Sequence, residues 1–409
     1  MNTISNYSVN ALLSEVSYAE GLSPELTGDQ LKDALSTADN ARFKSAAALA
    51  KDIGNRYVVL DQYTDDQYGS GFSATIFQNK ETGEVHFVCR GSEPGIADLL
   101  IADGDLAING AASKQIVELI NYVKRLEAGA GKNAAQYGFV LVPTGGMGAD
   151  AFAYELKQVG TADGVDLLNA AEVKVPFTQV TVAGHSLGGH LATCFARLFP
   201  EHTDHVYTYN STGFHWNSES RFRTFEDGLG KPHGAFPSAN VQTNLFSENG
   251  LNLTTSDLIF SQLGRRVAVF NEERSPIPDP FTNHYIDTPA DALALYDIFA
   301  RLDPGLDIGQ IDAILRGASN RMNNTLEKTL QALAKLVLDS DATIGIDDRN
   351  AFCNALIPLR GFVDEATDAT TQVNGTAFVV APLVGMSASS LAGLAALNTP
   401  TGIAYRYAL

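Results

Sequence analysis

The sequence predicts an α/β fold with a mixed, mostly parallel central sheet flanked by helices. Short runs of apolar residues, bounded by turn residues, alternate with amphipathic segments of helical period. One such run, 180–184, passes through a glycine-rich turn into the amphipathic segment 190–199. A chain of 409 residues with 45% hydrophobic residues can also bury a large core.

The first half of the chain is predicted to be a helical lead-in followed by strands. Apolar residues recur at helical spacing before residue 54, and β-branched and aromatic runs follow. A turn at 79–84 makes two of the strands a hairpin. Helices are predicted at 8–20, 39–53, 113–126 and 149–159, and strands at 56–63, 71–78, 85–89 and 137–141.

The second half continues this alternation around one irregular stretch. Strands are predicted at 205–211, 240–246 and 267–270, and a helix begins at Thr288-Pro289. Between them, 213–239 loses its periodicity and is predicted to be a lid-like insertion or a wall of the substrate cleft, with an ordinary surface excursion as the alternative. Its aromatic residues, the candidate substrate contacts, are Phe214, Trp216, Phe222, Phe225 and Phe236.

Two regions follow from this pattern. Residues 1–302 form the predicted catalytic domain, and 303–409 form a mostly helical appended region that packs on it. Helices are expected at 307–316, 324–338 and 349–357. The apolar stretch 378–397 is interrupted by Pro382, Gly385 and Gly393, which disfavours a membrane span.

Charge and cysteine usage narrow the partners. A net charge of −19 argues against nucleic acid and makes any membrane contact apolar. Three widely spaced cysteines predict free thiols. The N-terminus carries no signal peptide, which predicts a cytoplasmic protein or one exported by a route that reads another signal.

The strongest motif is Gly184-His185-Ser186-Leu187-Gly188, which lies between the predicted strand and helix. Such a turn is the nucleophile elbow, in which strain raises a serine hydroxyl above the sheet. The backbone N–H of Leu187 lies at a helix N-terminus, where negative charge is favoured. The loop Arg90-Gly91-Ser92 ends an earlier strand, so the N–H of Ser92 would complete an oxyanion hole, unless this loop is a plain turn.

A serine nucleophile needs a base and an acid that orients the base. Of eight histidines, His284 follows the last predicted strand and precedes a closing helix, which selects it as the base. Glu248, at the end of strand 240–246, is the first choice for the acid, and Asp257 and Asp279 are the alternatives.

Two groups of residues beyond the elbow complete a family resemblance. With Phe87-Val-Cys-Arg90-Gly91-Ser92 upstream and Asn283-His284 downstream, the chain resembles the class 3 lipases over roughly residues 50–300. It is closest in pattern to their bacterial phospholipase A1 relatives. The resemblance implies an α/β-hydrolase fold, lipid ester hydrolysis, a mobile lid, and the roles above for Ser186, His284, Ser92 and Leu187.

The family's acid is usually aspartate, whereas the matching position here reads Ser247-Glu248-Asn249. Some relatives carry calcium-binding repeats and leave the cell without an N-terminal signal, which suggests a bacterial, secreted protein. This chain lacks those repeats. The chemistry requires no cofactor, and calcium is compatible with the acids Asp98, Asp103 and Asp105, although their spacing fits no EF-hand.

Two function classes remain open at this point. The first is a serine hydrolase on lipid or phospholipid esters, either a phospholipase A1 or a triacylglycerol lipase. The second is a non-catalytic protein of the same fold that binds a partner or a membrane. A peptidase or thioesterase with the same triad is a minor third option.

Overall fold

The computed structural model describes residues 3–24, 26, 29–37, 47–65, 69–91, 112–146, 151–169, 171–215, 218–249, 261–271, 283–303, 305–319, 324–346 and 348–365. Several predicted features lie outside these ranges: Ser92, the acids at 98–105, Trp216, Asp257, Asp279 and the stretch 378–397.

The helices are α1 (Thr3–Val16), α2 (Asp29–Thr37), α3 (Ala47–Arg56), α4 (Ser113–Ala128), α5 (Leu187–Leu198), α6 (Ser218–Gly228), α7 (Asp287–Leu302), α8 (Ile308–Ala318), α9 (Thr325–Leu338) and α10 (Arg349–Glu365). The strands are β1 (Tyr57–Thr64), β2 (Ser73–Asn79), β3 (Val85–Cys89), β4 (Asn133–Pro143), β5 (Phe152–Asp163), β6 (Leu167–Leu168), β7 (Lys174–Val175), β8 (Val180–His185), β9 (Thr203–Tyr209), β10 (Gln242–Ser247) and β11 (Arg265–Val269).

A seven-stranded mixed sheet forms the centre of the protein, in the order β1-β2-β3-β8-β9-β10-β11. The first three strands pair antiparallel, and every later neighbour pairs parallel. The carboxyl ends of the parallel strands therefore meet along one edge, called here the carboxyl edge, and the loops that follow them gather there. The opposite edge is called the amino edge.

Each face of the sheet carries its own hydrophobic core, because successive side chains of a strand point to opposite faces. Along β3, Phe87 and Cys89 face the core formed with α4 and α5, whereas Val88 faces the core formed with α1 and α7. The predicted α/β-hydrolase fold is confirmed in its layering: a mostly parallel central sheet has helices on both faces, and a strand-to-helix turn carries Ser186.

Two predicted elements differ from the structure. The stretch 149–159 was expected to be helical, but its described part belongs to β5, which pairs antiparallel with β4 along its length. Its Ala, Glu, Leu, Lys and Gln residues favour a helix in isolation, and pairing with β4 overrides that weak preference. The stretch 213–239 was expected to be irregular, but it contains α6, which packs against this hairpin.

Helices α8 to α10 share one hydrophobic core with α1, α2, α3 and α7. Arg349, at the start of α10, is a polar link between these elements. Its guanidinium Nη2 donates to Glu15 Oε2 of α1 at 2.7 Å and to Asp291 Oδ1 of α7 at 3.0 Å. Glu15 is fully buried, and burial raises the pKa of its carboxyl to about 7 even though Arg349 opposes the shift.

Within the described ranges, the helices are all too short or too polar to cross a bilayer. The cysteines Cys89, Cys194 and Cys353 are buried free thiols, as predicted.

Candidate active site

Ser186 occupies a strained position between β8 and α5. Its φ of 57° and ψ of −126° lie in a region that side-chain-bearing residues rarely adopt. The turn is closed tightly by its glycines: a Cβ on Gly184 would collide with the carbonyl oxygen of Gly188. A Cβ on Gly188 would in turn collide with the carbonyl oxygen of Cys89. Both positions therefore require glycine.

This strain predicts a difference between two inactive variants. Ser186→Gly should be more stable than Ser186→Ala by about 1 kcal/mol, because glycine adopts a positive φ without the steric penalty that alanine retains. Chemical denaturation of the two variants measures the difference. Equal stabilities, or a more stable alanine variant, would show that the turn stores no strain at this residue.

His284 lies directly at the serine. Its Nε2 is 2.9 Å from Ser186 Oγ, a hydrogen bond in which the neutral imidazole accepts the hydroxyl proton. Both side chains are buried, at 2% exposure for Ser186 and 1% for His284. His284 shortly precedes α7, so the chain order and the geometry select the same histidine.

The backbone carbonyl of His284 is held by two side chains. His185 Nε2 donates to it at 2.6 Å, and Asn210 Nδ2 donates to it at 3.0 Å. Since a carbonyl can only accept, His185 carries a proton on Nε2. In the neutral ring, its Nδ1 then accepts from the hydroxyl of Tyr18 at 2.8 Å. His185 thus holds the backbone of the histidine whose ring faces Ser186.

Asparagines join the loops that follow β10 and β11 at the carboxyl edge. The backbone N–H of Asn249 donates to Asn271 Oδ1 at 2.9 Å, and Asn249 Nδ2 donates to the carbonyl of Asn271 at 2.6 Å. Asn283 Nδ2 donates to the carbonyl of Asn249 at 3.1 Å. The backbone directly before His284 is therefore tied to the ends of two neighbouring strands.

The N-terminus of α5 and the backbone at Gly91 both lie beside Ser186. Leu187 is the first residue of α5, so its backbone N–H has no partner within the helix. Gly91 lies against the same turn: a Cβ there would lie 3.4 Å from Ser186 Cβ and 2.6 Å from the carbonyl oxygen of His185. The chain thus enters the predicted oxyanion loop next to the nucleophile. Ser92, the predicted second donor, is outside the described ranges.

Glu248, the first-choice acid, follows the end of β10 as its spacing predicts, but its carboxylate turns to the guanidinium of Arg316 in α8. Asn249 Nδ2 also donates to this carboxylate, at 3.4 Å. Among the described residues, no hydrogen bond joins Glu248 to His284. The sequence did not indicate this arrangement because Arg316 lies much further along the chain, in a helix that packs here only in the folded protein. Neither alternative, Asp257 or Asp279, lies in the described ranges.

The aromatic residues of 213–239 that the structure describes form a core rather than an open surface. Phe214, Phe222 and Phe225 are at most 4% exposed, and Phe236 is partly buried against them. The buried guanidinium of Arg197, from α5, lies over the rings of Phe222 and Phe236 at 4.6 and 4.5 Å.

Arg197 also bonds Glu219 and Glu226 of α6, so this core contains a buried, paired cation. These phenylalanines pack α6 and its flanking residues against α5, and the expectation that they contact substrate stays a prediction. The sequence did not indicate this packing because Arg197, which lies over two of the rings, is outside the insertion.

One candidate metal group occurs among the described residues, and it is far from the serine. Glu127, Glu201 and His202 converge at the amino edge. The hydrogen bond from His202 to Glu127 raises the pKa of His202. Lys124 and Lys231 already pair with Glu127 and Glu201, at 2.7 Å each. The group is thus neutralised by cations of the protein itself.

Three residues near the site escaped the sequence analysis. Tyr18 carries no local signal, because it reaches His185 from a segment 167 residues away. Asn210 follows β9 at a φ of 43°, and the only local hint of it is an asparagine directly after a strand. His185 was assigned only to the turn itself, whereas its ring supports His284.

Neither family models nor curated proteins matched the sequence. Solved structures with a distant likeness include three fungal lipases. The Lip2 lipase from Yarrowia lipolytica is 13% identical, with coverage of 68% of this chain and 83% of that chain, at a TM-score of 0.34. The Rhizomucor miehei triacylglyceride lipase is 14% identical, with coverage of 66% and 82%, at a TM-score of 0.33.

A triacylglycerol lipase from Penicillium expansum is 11% identical, with coverage of 66% of this chain and 79% of that chain, at a TM-score of 0.27. These likenesses are too distant to carry a functional argument. The fold assignment depends on the strand order and on the Ser186 turn of this chain.

Proposed function

We propose that this protein is a serine hydrolase that cleaves carboxylic esters of lipids. The observation that supports the proposal best is the 2.9 Å hydrogen bond between His284 Nε2 and Ser186 Oγ at a strained strand-to-helix turn. A strained serine, an adjacent imidazole and a helix N-terminus together supply nucleophile, base and oxyanion stabilisation. The lipase-like motif Gly184 to Gly189 supports lipid esters as the substrate class.

The reaction would proceed by two acyl transfers. Ser186 Oγ attacks the ester carbonyl carbon while His284 Nε2 takes the hydroxyl proton. The oxyanion is held by the backbone N–H groups of Leu187 and Ser92, and His284 gives its proton to the departing alcohol. Water then attacks the acyl-enzyme, again with His284 as the base, and Ser186 regains its proton as the fatty acid leaves.

Labelling with a fluorophosphonate tests this proposal directly. We expect one phosphonylated peptide, containing Ser186, in the wild-type protein and none in Ser186→Ala. His284→Ala should label far more slowly, because the serine then lacks its base. Absence of labelling in the wild-type protein would favour the alternative, a non-catalytic protein of this fold that binds a partner or membrane.

The acid of the triad is proposed to be Asp257 or Asp279, because Glu248 is engaged by Arg316. Glu248→Gln should retain kcat within about threefold, whereas Asp257→Asn or Asp279→Asn should lower it by a factor on the order of 10⁴, the loss typical when the acid of such a triad is neutralised. Steady-state kinetics on a p-nitrophenyl ester separate the three variants. A loss on the order of 10³ or more in Glu248→Gln would return the role to that residue.

The finer substrate choice is between a phospholipid and a triglyceride. We propose both as candidate substrates, since the triad chemistry is the same for each. Product analysis on a phosphatidylcholine with two different acyl chains, beside a triglyceride, identifies the ester that is cleaved. Release of the chain at the first position assigns phospholipase A1, and hydrolysis of the triglyceride alone assigns a triacylglycerol lipase. The Ser186→Ala protein is the blank.

A further inference from the structure

The hairpin of β4 and β5 stands apart from the central sheet. Its strands pair only with each other, from Asn133–Asp163 at one end to Pro143–Phe152 at the other. It is held on one side by α4, where Asn121 exchanges hydrogen bonds with the backbone of Tyr137 at 2.7 and 3.1 Å. Beyond this anchor, the paired segments 138–143 and 152–157 continue outward.

The direction of α4 gives the direction of the hairpin. Near its start, the side chain of Gln115 lies beside Gly71, the residue that leads into β2 at the carboxyl edge. Near its end, Glu127 bonds His202 at the amino edge. The helix therefore runs from the carboxyl edge to the amino edge.

The strand β4 then returns in the opposite direction, because it starts at the end of α4. From Tyr137 to Pro143 it advances roughly 20 Å, whereas α4 spans only about 12 Å from Asn121 back to its start. The tip of the hairpin thus extends past the start of α4 at the carboxyl edge, the edge of the sheet where Ser186 lies.

One face of this tip is apolar and exposed. Leu141 pairs with Tyr154, and Pro143 pairs with Phe152, so the four side chains lie on the same face of the two strands. Leu141, Phe152 and Tyr154 are 51%, 56% and 59% exposed. Three large apolar side chains exposed together on a short hairpin indicate an interaction site.

The same face is buried at the base of the hairpin. Phe139 pairs with Leu156, which is 2% exposed, and the ring of Phe139 lies 5.5 Å from that of Phe225 in α6. The apolar stripe is therefore continuous from the core to the tip, and only its outer half faces solvent. The buried half fixes the orientation in which the outer half is presented.

The described part of the tip is uncharged, and the ionisable residue that the sequence places between its two segments is a single acid, Asp150. The described residues 136–146 and 151–154 include no Lys, Arg, Asp or Glu. The first charge on β5, Glu155, forms an ion pair with Lys157 at 3.1 Å. The chain as a whole carries −19 and is repelled by anionic surfaces. An apolar tip on such a protein fits a zwitterionic lipid surface, into which it inserts without attraction between opposite charges.

We propose that the tip of the β4–β5 hairpin, with Leu141, Phe152 and Tyr154, docks the protein on a zwitterionic lipid surface. Docking there places the lipid at the side of the sheet where Ser186 and His284 lie, so ester substrate enters from the surface itself. This docking deepens the proposed function and rests on it, since it serves the hydrolysis of esters at the lipid surface. The binding step can be measured without turnover.

The experiment uses the full chain with Ser186→Ala, so that vesicles stay intact. Flotation with phosphatidylcholine vesicles measures the bound fraction. The double variant Phe152→Ser/Tyr154→Ser should lower the partition coefficient about tenfold or more, since two aromatic side chains lose their apolar contact. Ile346→Ser, an equally exposed apolar residue outside the hairpin, should change it by less than about twofold.

Two further measurements complete the test. Leu141→Ser alone should also weaken binding, which keeps the test valid if the double variant folds poorly. When Ser186 is kept, Phe152→Ser/Tyr154→Ser should hydrolyse a water-soluble ester at a rate within about twofold of wild type. The same variant should lose activity on esters in vesicles.

Unchanged vesicle binding in both hairpin variants would overturn the proposal, as would stronger binding to anionic phosphatidylglycerol vesicles. A hairpin-dependent dimer in sedimentation, with no vesicle binding, would instead make the tip a self-association surface. If vesicle binding depends on the tip but no ester is hydrolysed, docking stands and the proposed function fails.

Discussion

Replacing Ser186 by alanine is expected to lower kcat/KM for a p-nitrophenyl butyrate substrate by a factor on the order of 10⁴ or more. The substitution removes the atom that attacks the ester carbonyl, and only the oxyanion donors and substrate binding remain to accelerate the reaction. Since Ser186 is 2% exposed and its Oγ bonds His284, the loss of one oxygen leaves the surrounding packing in place. Initial rates over a range of substrate concentrations measure the effect.

His284→Ala provides the matched comparison. Because the two groups act as a unit, its loss should be similar, and the double variant should be no worse than either single variant. Circular dichroism and thermal unfolding of each variant serve as the folding control. Retention of more than about a tenth of the activity in Ser186→Ala, with a folded protein, would refute the assignment of the nucleophile.

Arg349→Met is expected to lower the free energy of unfolding by about 3 to 5 kcal/mol, the range for breaking a buried ion pair by removing one partner. The guanidinium lies between two carboxylates, from Glu15 in α1 and Asp291 in α7, and Glu15 is fully buried. Methionine preserves most of the apolar contact but leaves both acids without this cation. Denaturant unfolding of wild type and variant measures the difference.

The size of this effect should depend on pH. Burial raises the pKa of Glu15 to about 7, above its ordinary value of 4.5, so its contribution to stability is present below pH 4.5 and is lost as pH rises through 7. Without Arg349, ionised Glu15 destabilises the folded protein further, because the neighbouring Asp287 and Asp291 also raise its pKa. The destabilisation should therefore be larger at about pH 8 than at about pH 5, where Glu15 can bind a proton.

The double variant Glu15→Gln/Arg349→Met separates the ion pair from packing. It should recover part of the stability at about pH 8, because the uncompensated buried charge is gone. Equal stability of the single and double variants at both pH values would show that the charge of Glu15 does not contribute to the effect.

The pairing of Ser186 with His284 could be predicted from the sequence, because its signals are a local motif and the order of elements along the chain. Gly184 and Gly188 have to be glycine for the turn to close, so the motif around Ser186 predicts the shape of the turn. His284 was selected by its order after the last strand, and the structure brings its ring to Ser186. The role of the ring of His185 was not predictable, because the carbonyl that it bonds lies 99 residues away.

The errors have a common physical cause, which is that distant residues decide the state of a local segment. The described part of 149–159 forms a strand because β4 is available to pair with it. The phenylalanines of 213–239 pack against a helix outside that stretch, where Arg197 of α5 lies over Phe222 and Phe236 and bonds two glutamates of α6. Glu248 faces Arg316 because the fold brings a side chain of α8 to the residue that follows β10.

The sequence by itself therefore determined the sheet class, the strand-to-helix turn and the pairing of Ser186 with His284, all of which follow from short-range patterns of residue size and from chain order. The tertiary structure alone decided the partners of buried polar groups: His185 and Asn210 on the carbonyl of His284, Arg349 between Glu15 and Asp291, and the exposure of the hairpin tip. These depend on which segments meet across the fold, and neither the periodicity nor the spacing of residues along a chain specifies that.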